Sequence, residues 1–296
     1  MFEQLEQTRK KEVKNVLISL ACVVLIVFIL MMVTPRFDRM MVLMFGGIFG
    51  LAIVLVVADQ SKKKFMMAYK QEFLKKTLEK EFDQVTVNFE EGFSEQQIRD
   101  GHLVNLYDRF YSDDYISATY KDVAFECSDI KIEDVVRSGK HTSVVTRFQG
   151  LYLKVNLKKN FRGWTVVREK EFLDNGNPRS FWSEMPELEK INVESEEFNQ
   201  KFSVYSSDGT EAFYLLTPRF MERMMTLESC FEGRCYFGFL QGQLHIAIDS
   251  REDHFDISLF EAVDEYRLHK HQQDIDMIKG IVDLVSKECE TTWNTF

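Results

Sequence analysis

"VLISLACVVLIVFILMMV", residues 16–33, contains no charged side chain, and "MMVLMFGGIFGLAIVLVVA", residues 40–58, is a second such run. A hydrocarbon core about 30 Å thick takes roughly 20 helical residues, so each stretch is long enough to cross. The alternative is a pair of buried core helices. Those normally carry polar residues on one flank, whereas here apolar sequence continues all round both cylinders. A cleaved leader fits the first stretch poorly: the apolar run is too long, no small-x-small site follows, and a second run comes straight after. Only "TPRFDR", 34–39, joins the two, so the chain is expected to return to the side it left.

Charge sets the expected orientation. Arg9, Lys10, Lys11 and Lys14 precede the first stretch, and Lys62, Lys63, Lys64, Lys70, Lys75 and Lys76 follow the second; the connection has Arg36 and Arg39 alone. That bias places both termini in the cytoplasm, in a multi-pass protein of the bacterial inner membrane with spans at about 16–34 and 40–58. Within the spans only Ser19 and Cys22 are even mildly polar, so no ion or proton path is indicated. Gly46-x-x-x-Gly50 is a candidate packing motif, either for the second span against the first or for a dimer seam.

Residues 61–82 read as an amphipathic stalk helix, with Phe65, Tyr69, Phe73, Leu78 and Phe82 on one stripe and lysines elsewhere. It either continues the second span and packs on the domain or lies on anionic headgroups. Residues 83–296 follow as a cytoplasmic α+β domain. Ser94-Glu95-Gln96-Gln97 is a capping box that opens a helix to about residue 110. From 114 to 169 the chain turns to β-branched and aromatic residues. "FQGLYLKVNLKKNFRGWTVV", 148–167, predicts a hairpin whose turn, 158–163, carries Lys158, Lys159 and Arg162. Those cations form a weak anion-binding candidate beside the plainer reading of a solvated turn. Residues 170–194 are polar and broken by Asn175-Gly176-Asn177-Pro178, a possible subdomain boundary. Beyond them Ser195 caps a short helix, residues around Val204 and Phe213–Leu216 are strand-like, and Thr217-Pro218 starts a helix burying Phe220, Met221, Met224 and Leu227. Two strands surround Gln241-Gly242, and Ile275, Ile278, Ile281, Val282, Val285 and Cys289 recur at helical spacing.

Composition narrows the function classes. Of the net charge of −10, residues 1–60 contribute +1 and the remainder −11, a poor balance for general nucleic-acid binding. Five scattered cysteines (22, 127, 230, 235 and 289) include no C-x-x-C pair, which fits a reducing compartment and gives neither a disulfide framework nor a zinc site. P-loop, G-x-S-x-G and H-E-x-x-H motifs are missing. His269 and His271 point to different sides of a helix. Asp249, Asp253 and His254 cluster after a strand, where a solvated loop is the plainer reading than a polar site.

Several stretches together carry a resemblance: "DDYISATYKDVAFECSDI" (113–130), "RFQGLYLKVNLKKNFRGWTVV" (147–167), "VYSSDGTEAFYLLTPRFMERMMTL" (204–227), "GQLHIAI" (242–248) and "ISLFEAV" (257–263) with "DIDMIKGIVDLV" (274–285) and Trp293. They resemble an uncharacterised bacterial membrane family, the domain of unknown function 3137. Its members usually place two membrane helices before the domain, and the family supplies no catalytic residues to carry over. The resemblance implies that Phe148-x-Gly150 with Asn160-x-x-Gly163 is a structural hairpin signature, although this chain has Lys159-Asn160-Phe161 where members often have Asn-Lys. The expectation is therefore a membrane-anchored α+β protein, a two-helix transmembrane hairpin followed by a cytoplasmic mixed α+β domain with antiparallel hairpins. Its expected role is a binding or scaffold module without a cofactor. Its expected partners are the lipid bilayer, other membrane proteins and further copies of itself, with no nucleic acid. The alternatives are an enzyme acting at the membrane surface and a subunit of a channel or transporter.

Overall fold

A computed structural model describes residues 2–35, 38–139, 141–157, 162–170, 188–229, 233–263 and 265–291. The chain forms two compact units, one of residues 1–77 with 255–272, the other of residues 78–254 with 273–296.

In the first unit, α1 (Phe2–Val33) and α2 (Arg39–Tyr69) are long and apolar enough to cross a membrane. They run antiparallel, with Gly46 beside Val27 and Gly50 beside Val23. Only 6% of the most apolar window of each is buried, which separates both from ordinary core helices. The polar ends are covered instead. Leu5, Phe65, Met66 and Tyr69 are buried, as are Ile257, Leu259 and Val263 of the segment that returns to this unit. Lys70, itself buried, pairs with Asp256 at 2.5 Å, Tyr69 lies against the His271 ring at 5.3 Å, and Arg9 donates to the Leu259 carbonyl at 3.3 Å.

A π-turn, Lys70–Leu74, interrupts the helical path before α3 (Lys75–Glu81). It inserts one residue, so the stripe predicted through Phe73 steps to Leu74, which is fully buried, and continues at Leu78 and Phe82. Phe73 is half-buried and stacks on Tyr69.

The second unit is built on an antiparallel sheet. Its strands are β1 (Asp83–Asn88), β2 (Arg109–Tyr120), β3 (Val123–Ser138), β4 (His141–Asn156), β5 (Thr165–Glu169), β6 (Glu189–Ile191), β7 (Phe202–Ser206), β8 (Arg234–Leu240) and β9 (Gln243–Asp249). Among the described residues their order is β1-β2-β3-β4-β9-β8-β5-β7-β6. On one face Lys154, His245, Gly238 and Val166 sit side by side, with Tyr152, Ala247, Tyr236 and Arg168 in the next row. Phe93, Ile98, Leu103 and Val104 cover it, from α4 (Glu95–Gly101) and the segments that enter and leave it. The other face carries Leu153, Ile246, Phe237 and Val167 and receives α5 (Glu196–Lys201), α6 (Gly209–Leu215), α7 (Pro218–Ser229) and the buried Ile275, Ile278, Ile281, Val282 and Val285 of α8 (Glu265–Thr291). Phe202 packs on Phe198 and Phe237, and Phe220 on Phe239.

Three expectations need correction. First, β4 and β5 are not a hairpin: β4 pairs with β3 and β9, β5 with β7 and β8. The β8–β9 hairpin sits between them, so the 158–163 connection crosses three strand spacings, about 14 Å. The local sequence signals a reversal correctly; which strand is the neighbour is a long-range matter that no turn residue encodes. Second, α4 stops at Gly101, because His102 is left-handed (φ 49°) and the next carbonyls are claimed by Arg168. Third, Phe213–Leu215 belong to helix α6, because Asp208 accepts from the Thr210 and Glu211 N–H groups and caps it. The 170–194 break lies mostly outside the described residues, as do Cys230, Trp293 and the side chain of Cys289.

Candidate functional site

Of the basic connection, Lys158 and Lys159 lie outside the described residues and Arg162 is exposed. The backbone donors that an anion would need are engaged by the protein itself: the Arg162 and Gly163 N–H groups donate to the Glu211 carboxylate at 3.0 and 2.6 Å. A Cβ at position 163 would stand 2.6 Å from that carboxylate, which explains the glycine. Glu211→Ala should release the segment, costing about 1–3 kcal/mol and speeding amide exchange at 162–163. Unchanged exchange there would show that Glu211 does not hold it.

Gly46 and Gly50 face the first helix. A Cβ at Gly46 would come within 3.1 Å of Val27 Cγ2, and one at Gly50 would collide with Val23 Cγ1. The small-residue surface is occupied within the chain.

Two buried polar groupings stand out in the second unit. Under the α4 exit, the Tyr152 hydroxyl lies 2.9 Å from His245 Nδ1. Burial, with Lys154 and His102 nearby, pulls His245 down to about 3, so its imidazole is neutral. Lys154, shifted down by burial, rests its ammonium 4.4 Å from the Phe93 ring centroid. Arg168, 1% exposed, donates from Nη2 to the carbonyls of Leu103 (3.1 Å) and His102 (3.4 Å). These groups clamp the 101–104 segment to the sheet.

The second grouping lies just beyond the end of β9. The Ser250 hydroxyl is 2.7 Å from His254 Nε2, and His254 Nδ1 is 2.8 Å from Asp274 Oδ1 on α8. A carboxylate can only accept, so Asp274 holds the proton on Nδ1 and turns the Nε2 lone pair toward the serine. His254 and Asp274 are buried, Ser250 half-buried. The His254 N–H donates to Asp129 Oδ2 at 2.5 Å. Burial raises Asp129 to about 9, outweighing that hydrogen bond. Asp249 is also buried and shifted up by burial, although it accepts from Gln149 N–H (3.1 Å) and pairs with Arg251 (3.1 Å). The Asp249–His254 stretch is thus no solvated loop throughout: Arg251, Glu252 and Asp253 face solvent while Asp249 and His254 are buried. No group of three metal-binding side chains occurs among the described residues. His269 is exposed and His271 buried, so they do not converge.

Residues 146–287 match the family model described as "Protein of unknown function (DUF3137)". The match covers a little under half of the chain. No curated protein matches the chain. Among solved structures, the crystal structure of the mycobacterial trehalose monomycolate transport factor A, TtfA, is similar over 67% of this chain and 86% of that one, at 11% identity and a TM-score of 0.38. The matched segment contains Arg168, Glu211, His245, Ser250, His254 and Asp274, whereas Asp129 precedes it. The sequence reading notes His254 within the Asp249, Asp253 and His254 cluster, prefers a solvated loop there, and names neither Ser250 nor Asp274. Ser250 sits at the usual i−4 spacing of a turn contact, and Asp274 lies further along the chain, in the helical pattern of α8, so neither has a local signal.

Proposed function

We propose that α1 and α2 cross the inner membrane of a bacterium as a hairpin with both termini in the cytoplasm, and that the α+β domain is a binding or scaffold module held at that surface. The observation that carries this reading is the uncovered apolar surface of the two helices. Leu17, Val24, Ile26, Phe28, Phe49, Leu51 and Leu55, among others, are each more than half exposed. In water every such side chain would forgo about 1.5–3 kcal/mol of burial; in lipid none does. The excess of basic residues at the outer ends supports the orientation. The segment 255–272 supports the anchor's integration, since it returns from the end of β9 to pack on the polar ends of the same helices.

An anchor of this kind raises the effective concentration of the domain toward other membrane proteins, which makes weak contacts useful. Tyr214, 64% exposed beside the half-exposed Phe213 on α6, is the aromatic pair we assign to such contacts. A photo-crosslinking residue at position 214 of the full-length chain in intact cells should give adducts that sediment with membranes. No adduct from that position would remove the binding role from this surface.

A further inference from the structure

We infer that Ser250 is a nucleophile for acyl transfer, activated by His254 and Asp274, and that the second unit hydrolyses carboxylic esters. The inference stands apart from the membrane reading, because all three residues belong to one unit. Three features carry it. The distances, 2.7 Å from Ser250 Oγ to His254 Nε2 and 2.8 Å from Nδ1 to Asp274 Oδ1, are those at which a base takes a hydroxyl proton and a carboxylate steadies the resulting imidazolium. The exposure is graded in the required direction, with the carboxylate and imidazole 4% and 3% exposed and the serine reaching solvent. The turn that presents the serine is strained, Arg251 being left-handed at φ 61°, and the Glu252 N–H donates to Ser250 Oγ at 3.4 Å, so the backbone holds the hydroxyl in place beside His254. Gly150 lies against the same turn. A Cβ there would first meet the Ile248 carbonyl at 2.2 Å, at a φ of +147°, and would also stand 2.8 Å from Ser250 Oγ.

The steps balance without a cofactor. Ser250 Oγ adds to the ester carbonyl as its proton passes to His254 Nε2. The bond to the alkoxy group breaks, and that proton leaves with the alcohol. Water then attacks the acyl-serine, giving its proton to Nε2; the acid departs and the hydroxyl is restored. The net change is ester plus water to acid plus alcohol. Asp274 orients the imidazole through Nδ1 and is a positioning residue.

The experiment is labelling of the full-length protein with a fluorophosphonate, which reacts covalently with activated serines, followed by peptide mass spectrometry, with p-nitrophenyl acetate hydrolysis as the second readout. The expected result is a single adduct on Ser250. Labelling and hydrolysis should both be lost in Ser250→Ala and fall by about 10²-fold or more in Asp274→Asn, which keeps the shape and loses the tautomer control. The adduct site in the native chain decides the matter even if a variant fails to fold. No adduct, or an adduct on another serine, overturns the inference and leaves the relay as a tie between the β9 turn and α8.

Discussion

Arg168→Ala is expected to destabilise the second unit by about 3–5 kcal/mol, among the largest effects of any single truncation in this protein. The guanidinium is fully buried, its ordinary value of 12.5 pulled down to about 10 by that burial, and it stays charged at neutral pH. Removing it leaves a void between Tyr236 and the 102–104 segment and strips a donor from the His102 and Leu103 carbonyls. The cost therefore combines cavity and unsatisfied acceptors. Arg168→Met separates the two: it refills most of the volume and abolishes the buried charge, so its loss should be clearly smaller. Thermal unfolding of the full-length protein in detergent measures both. Hydrogen exchange at 102–104 should speed up in each variant. An alanine variant that melts together with the parent would mean the segment is held by Tyr152, His245 and apolar packing alone.

Asp129 controls a pH dependence of comparable size. Its carboxyl titrates near 9 in the folded chain against 3.8 for an unperturbed aspartate. Between those limits the folded state keeps a proton that the unfolded state has released, so stability falls as pH rises, by up to about 1.4 kcal/mol per unit from this group. From pH 5 to pH 8 that is on the order of 4 kcal/mol. Asp129→Asn cannot ionise, and its amide oxygen can still accept the His254 N–H. The variant should match the parent near pH 5 and gain on it steadily toward pH 8. Parallel melting profiles across that range would show that Asp129 is ionised when folded. Asp249 and Glu169, both shifted up by burial, contribute in the same direction, so the variant keeps part of the slope.

How much of this was legible in the sequence depends on the range of the physics. Local signals served well. The Ser94 capping box is present with both hydrogen bonds, the Gln241-Gly242 turn joins β8 to β9 with both residues left-handed, and Thr217 caps α7 with its four predicted side chains buried. Where a distant element decides, local signals misled. "DQVTVN" at 83–88 was hidden between two helices and becomes β1 only because β2 offers it an edge. Phe73 gave its place to Leu74 through a π-turn that no residue type announces. The 148–167 stretch reverses direction as read, yet its arms are parted by the β8–β9 hairpin from much further along the chain. The relay shares that character, because Asp274 meets His254 only after α8 has packed on the sheet. Motif searches fail on such a site because its order and spacing follow the fold.

Treatment of membrane vesicles with alkaline sodium carbonate tests the central claim most directly. The account predicts that the intact chain stays with the lipid pellet after the wash, since two uncovered apolar helices hold it there. Release of the full-length protein into the supernatant would contradict it.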